Sequence, residues 1–189
     1  MRAAASRTPP ECVKPTVNGD TLARCFNPFN YPRAMSSPKD NPSRRLVRRS
    51  SRIHGNGVFA AKPIAKNERL IEYQGERLPS HEADARHMRL ENESAHTFLF
   101  SVNEEITIDA TFKGNLAKWI NHSCGPNCEA VEEDGRIFIE SVKPIAPGEE
   151  ITYDYRFILE ERHTPANKRR FQCICGSKEC RGTMLARKR

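Results

Sequence analysis

Three cysteines fall within eight residues near the C-terminus of this 189-residue chain, Cys173, Cys175 and Cys180, and they restrict its fold more than any other feature. Cys173 and Cys175 stand too close to bridge one another comfortably. No apolar run follows Met1 to Ala5, so neither a secretory signal nor an oxidising compartment is expected, and metal thiolates are preferred over disulfides. A structural zinc takes four ligands in a tetrahedron. The fourth must come from elsewhere in the chain, and whichever residue supplies it ties the tail to the body. Of the remaining cysteines, Cys12 and Cys25 read as isolated reduced thiols and Cys128 as a small buried one.

Composition separates the chain into parts. Residues 1–43 contain seven prolines and no apolar period of 2 or 3.6, which predicts a disordered or extended tail. The rest is long enough to bury about two-thirds of its unfolded surface around one core. We expect a folded domain over 44–157 and a metal-binding segment over 158–189. No stretch of 18 apolar residues occurs, so no membrane contact is expected. The net charge of +7 includes two basic blocks, Arg44, Arg45, Arg48, Arg49 and Arg52, and Arg187-Lys188-Arg189. These read as a solvated face and a frayed end, able to touch nucleic acid non-specifically through charge. Aromatic residues that could stack bases do not interleave with them.

Short runs rich in Val, Ile, Phe, Tyr and Thr predict strands at 58–61, 69–73, 97–102, 105–108, 136–141 and 150–155. Asp134-Gly135 is a tight-turn pair and predicts a hairpin joining 128–131 to 137–142. Ser80 is a plausible cap for a helix through Leu90, and Asn115 for a short turn carrying Trp119 and Ile120. The fold class expected is mainly β, built from several small sheets.

Four blocks carry chemistry. His54-Gly55-Asn56-Gly57 places two glycines before the strand Val58-Phe59-Ala60, either as a plain turn or to let backbone approach a ligand. A third glycine and a following helix are missing, so this is no dinucleotide fingerprint. Asn121-His122-Ser123-Cys124-Gly125-Pro126-Asn127-Cys128 joins polar residues to a turn. Gly148-Glu149-Glu150-Ile151-Thr152-Tyr153-Asp154-Tyr155 puts Tyr153 and Tyr155 on one side of a strand with Asp154 on the other. The phenols serve either as packed core residues with satisfied hydroxyls or as a pair facing a ligand. The cysteine triad is the fourth block.

These blocks, in this order over roughly residues 45 to 186, resemble the SET-domain protein-lysine methyltransferases with a post-SET zinc tail. Without a pre-SET region or reader domains, the chain resembles the small free-standing type found in bacteria. The resemblance implies a fold with a pseudoknot and methyl transfer from S-adenosylmethionine to the ε-amine of a lysine in a histone or other protein. It implies cofactor contacts at His54, Gly55, Asn56, Gly57, Phe98, Asn121, His122 and Tyr155. Phe98 departs from the tyrosine that several relatives place there. Tyr155 matches the active-site tyrosine, and Tyr153 the position that influences how many methyl groups are added, here mainly one. Cys124 completes the zinc site with Cys173, Cys175 and Cys180, although a competing set of His122, Cys124 and Cys128 stays open. The expected protein is a cytoplasmic monomer acting on a protein lysine, with the nucleus or chromatin, its own or a host's, as the alternative compartment. The rival reading is a zinc-containing basic module that binds chromatin or nucleic acid without catalysis.

Overall fold

A computed structural model of the chain describes residues 45–91, 98–159 and 162–187. The expected tail over 1–43, with Cys12 and Cys25, lies outside them, as do Arg44, Thr97, Lys188 and Arg189. The described chain is mainly β, with ten strands in three small sheets. The first strands are β1 (Leu46–Ser50), β2 (Asn56–Ala60), β3 (Arg69–Glu72) and β4 (Glu76–Pro79), followed by helix α1 (Ser80–Glu91). Strands β5 (Leu99–Ser101) and β6 (Ile106–Asp109) precede a 3-10 turn at Leu116–Trp119. Then come β7 (Asn121–His122), β8 (Cys128–Glu133), β9 (Arg136–Ser141), β10 (Glu150–Tyr153) and helix α2 (Pro165–Arg170).

The predicted hairpin forms β8 and β9, in register from Cys128 opposite Ser141 to Glu133 opposite Arg136. Asp134 and Gly135 both have positive φ, 50° and 74°, as a two-residue turn matched to strand twist requires. β9 is the middle strand of the sheet β3-β9-β8, and its Ile137, Phe138 and Ile139 are all buried, so alternation gives way to a continuous apolar run. A second sheet orders β4-β6-β5. The third runs β1-β2-β10-β7, where β10 is antiparallel to β2 but parallel to β7. One core unites Val58, Phe100, Ile120, Ile137, Ile139, Ile151, Tyr73 and Tyr153. A smaller apolar cluster gathers Phe157, Leu159, Phe171, Met184 and Leu185 around Cys124 and Cys173.

Three local expectations change. The arginine-rich stretch holds an unexpected strand, β1, in which Leu46 is buried and Arg48 lies 5.1 Å from the Trp119 ring centroid, while Arg45, Arg49 and Arg52 are exposed as a solvated face requires. Ser80 is the first residue of its helix, and its hydroxyl is 3.0 Å from that of Thr107. The last predicted strand stops at Tyr153 rather than Tyr155, because the chain turns through Arg156 at φ 48°. That left-handed conformation costs a non-glycine residue about 1 to 3 kcal/mol. Asn115 does cap its turn, accepting the Ala117 N–H at 3.2 Å.

The burial pattern gives a stability expectation. Ile139→Ala should lower the free energy of unfolding by about 2 to 5 kcal/mol through lost transfer energy and a cavity. Ile174→Ala, at a side chain 62% exposed, should change it by less than about 0.5 kcal/mol. Urea titration of both variants checks the contrast.

Candidate functional site

β7 is only two residues long, and side chains complete what its backbone cannot. Thr152 faces Asn121 and Tyr153 faces His122 across the parallel pairing. The Asn121 amide nitrogen reaches the carbonyls of Asn56 and His54 at 2.9 and 3.2 Å and Glu150 Oε1 at 2.8 Å. The other Glu150 oxygen accepts the Ser51 hydroxyl at 2.9 Å, and Ser51 Oγ in turn accepts the Ile53 N–H. A Cβ built on Gly57 would stand 2.2 Å from Glu150 Oε1, so Gly57 makes room for that carboxylate. Gly55 supplies a turn at φ 45°. Buried Asn127 serves β10 in the same manner, accepting the Thr152 N–H at 2.9 Å and donating to the Glu150 carbonyl at 2.8 Å. Ser51, Asn127 and Glu150 were not anticipated as supports. Their sequence signal is weak, because a polar residue beside a turn ordinarily caps it.

His122 is buried and its Nδ1 accepts the Tyr155 N–H at 3.1 Å, which leaves the hydrogen on Nε2, 3.3 Å from Cys124 Sγ. Burial pulls its pKa down to about 4 despite the opposing Asp154 carboxylate, so the imidazole is neutral. The Tyr155 hydroxyl donates to the Ile120 carbonyl at 2.7 Å. Its ring centroid is 4.9 Å from that of Tyr153, so the two phenols do meet although only Tyr153 remains in the strand. Burial pushes the Tyr153 and Tyr73 phenols far above their ordinary range.

A cavity of about 190 Å³ opens beside these groups. His54, Asn121, His122 and Tyr155 line one side, with Ile53. Arg169, Gln172, Cys173, Ile174 and Met184 line the other. Of the remaining expected contacts, Gly55, Asn56 and Gly57 sit in the adjoining turn and start of β2. Phe98 stands edge-on to Trp119 at 5.1 Å, with Lys118 Nζ 5.2 Å from its own ring. None of these four is in the cavity lining. Arg169, Gln172, Ile174 and Met184 were not anticipated individually in the C-terminal wall, and their only sequence signal is proximity to the cysteines.

The four sulfur atoms of Cys124, Cys173, Cys175 and Cys180 lie within 4.8 Å of one another, with Cys124 and Cys173 at 3.7 Å. A tetrahedron with metal–sulfur bonds of about 2.3 Å needs sulfurs about 3.8 Å apart, so the set fits zinc. Backbone N–H groups of Cys124, Cys175 and Gly182 point at the sulfurs of Cys175, Cys173 and Cys180 at 3.4 to 3.5 Å, an arrangement suited to thiolates. Burial pushes Cys124 and Cys173 up. For Cys175 burial also works upward, but backbone hydrogen bonds from Cys124 and Ser177 and contacts with Cys173 and Ser123 outweigh it and bring the thiol down to about 6. Cys128 is buried in the hairpin outside this group, its thiol pushed up to about 12 by desolvation.

Comparison with known proteins agrees with this architecture. The chain is 45% identical over 139 residues to three proteins: the histone-lysine N-methyltransferases SETD1A and SETD1B of Homo sapiens, and SETD1 of Drosophila melanogaster. The aligned part is 71% of this chain in each case, but only 8%, 7% and 8% of those relatives, so the chain spans less than a tenth of their length. The family described as "SET domain" matches residues 55–156, which hold the glycine turn, β7, β10 and Tyr155. With that match over more than half its length, the chain belongs to the SET-domain family.

Proposed function

We propose that the chain is a protein-lysine methyltransferase that moves a methyl group from S-adenosylmethionine to a lysine ε-amine, with a histone as the substrate class. The observation that carries this reading is the Tyr155 hydroxyl, held on the Ile120 carbonyl at the edge of a cavity bordered by neutral His122 and Asn121. When bound, S-adenosylmethionine supplies a methyl group on positively charged sulfur. His54, Gly55, Asn56, Gly57, Phe98, Asn121, His122 and Tyr155 are the residues assigned to hold it. Asn121 acts mainly by fixing the backbone at His54 and Asn56. The names of the relatives support the histone substrate, and a histone goes with the nucleus rather than the cytoplasm expected first. No helix among the described residues is long and apolar enough to cross a membrane.

The chain's residues have a proton problem to solve. A lysine with pKa near 10.4 is neutral only about one time in a thousand or less at pH 7. Confinement beside the buried phenols and near a positive charge disfavours the ammonium form. Because the Tyr155 O–H donates to the Ile120 carbonyl, its oxygen is oriented to accept from the amine, which turns the nitrogen lone pair toward the methyl group. Alignment of two held partners is the large contribution here. Tyr155 has no assigned role as a base, and the proton leaves through water. Zinc in the four-thiolate site would hold the segment 158–189 against the domain 44–157, keeping Arg169, Gln172, Ile174 and Met184 in the cavity wall.

Recombinant histones incubated with the chain and labelled S-adenosylmethionine should acquire label on lysine. Absence of transfer from the folded, zinc-loaded chain to histones or to cell extract would overturn the reading. Tyr155→Phe should lower kcat by about a hundredfold, with cofactor affinity, read by calorimetry, kept within threefold of the parent. Cys175→Ser should lose zinc and release residues from about 165 onward to proteolysis, with little transfer left and the sheets still folded. Metal analysis and limited digestion check it. The parent should make mainly monomethyl-lysine, while Tyr153→Phe should raise the di- and trimethyl fraction several-fold. A lost hydrogen bond of about 0.5 to 1.5 kcal/mol suffices for such a shift. Mass spectra of the substrate decide that point.

A further inference from the structure

We propose that Arg181 is a positioning residue that couples the C-terminal segment to Tyr155 through Asp154; the inference rests on the methyltransferase reading above. The guanidinium lays two nitrogens on one carboxylate, Nη1 to Oδ2 and Nη2 to Oδ1, both at 2.8 Å. The two side chains are only 15% and 16% exposed. A planar two-point contact fixes orientation as well as distance, which a lysine cannot do, and partial burial shields it from salt.

Asp154 lies between the two phenol-bearing residues, and its carboxylate serves the turn that runs from it through Tyr155 to Arg156. Oδ1 accepts the Arg156 N–H at 3.1 Å, closing the turn in which Arg156 is left-handed. The same oxygen lies 3.4 Å from His122 Nδ1, the atom that accepts the Tyr155 N–H. A strained turn persists only when its surroundings hold it. On one side the hold is the strand β10; on the other it is Arg181. Arg156 Nε, 4.0 Å from Oδ2 on a side chain 56% exposed, is a weak substitute. Arg181 directly follows Cys180, so the thiol cluster sets its position. Closing the tail therefore aims the Tyr155 amide at His122 and its hydroxyl at Ile120.

The test uses the zinc-loaded 189-residue chain with Asp154→Asn, Arg181→Met, Arg181→Lys and the Asn/Met double variant. Asp154→Asn keeps one acceptor for the Arg156 N–H, removes the charge and replaces the second oxygen with an NH2 donor, so the two-point contact with Arg181 cannot form. Expected are retained zinc, cofactor affinity within threefold, kcat lowered tenfold or more, and a Tyr155 amide that exchanges with solvent at least tenfold faster. Amides of the β8–β9 hairpin should not change. The double variant should lose no more than the worse single one, and Arg181→Lys should recover only part of the loss. Chelating zinc from the parent should reproduce the faster exchange at Tyr155. Unchanged Tyr155 exchange in Asp154→Asn overturns the proposal, whatever the activity. If Arg181→Met loses zinc, Asp154→Asn carries the decision, since Asp154 is outside the thiol cluster. A parent chain that transfers no methyl group sinks the functional reading, while the exchange measurement still decides the coupling.

Discussion

Everything at the site hangs on a parallel pairing of two residues, Asn121 and His122, with Thr152 and Tyr153. So short a ladder leaves backbone groups at both ends without strand partners, and an unmade buried hydrogen bond costs about 1 to 3 kcal/mol. Side chains fill the gaps. Asn127 takes the Thr152 N–H, His122 takes the Tyr155 N–H, and the Ser123 N–H reaches the Tyr153 carbonyl at 3.1 Å. The neutral state of His122 is part of this arrangement, because only an unprotonated Nδ1 can accept. The polar residues of the Asn121-to-Cys128 block are thus as much building material as they are chemistry.

Local rules were readable and long-range ones were not. Asp134-Gly135 gave the hairpin because positive φ at both positions is written in the residue types. The shared side of Tyr153 and Tyr155 was readable from strand period. It outlived the end of the strand, since the rings stand 4.9 Å apart although Tyr155 lies beyond β10. β1 was hidden because Arg48 and Arg49 interrupt its apolar pattern. The structure places Arg48 over Trp119, and Arg45 in an ion pair with Glu68. The zinc triad pointed to the second wall of the cavity, but the residues that line it could not be picked out. Arg169, Gln172, Ile174 and Met184 share no period or motif and meet only because four sulfurs gather the segment that bears them.

The surplus of positive charge also looks different with coordinates. Arg69 is paired with Glu133 and Glu140, Arg136 with Glu72, and Arg86 with Glu76 and Asp109. The exposed pairs among these contribute about 0 to 1 kcal/mol each, whereas Asp109 is buried beneath Arg86. Pairing leaves the net charge of +7 unchanged and fixes where these arginines lie on the surface. Arg69 and Arg136 flank the Phe138 ring at 4.0 and 4.9 Å, so part of their worth is apolar cover for β9.

Ser51 and Glu150, which brace the glycine turn, are 99 residues apart in the chain, and Asn121 is 65 residues from Asn56. The β8–β9 hairpin closes over two. Closing a long loop costs entropy before any contact rewards it, whereas a hairpin forms in about 1 to 10 μs. The sheet content of this protein and the integrity of its site are therefore separate quantities. A preparation whose circular dichroism looks native can hold molecules in which the hairpin is formed and the Ser51–Glu150–Asn121 brace is not.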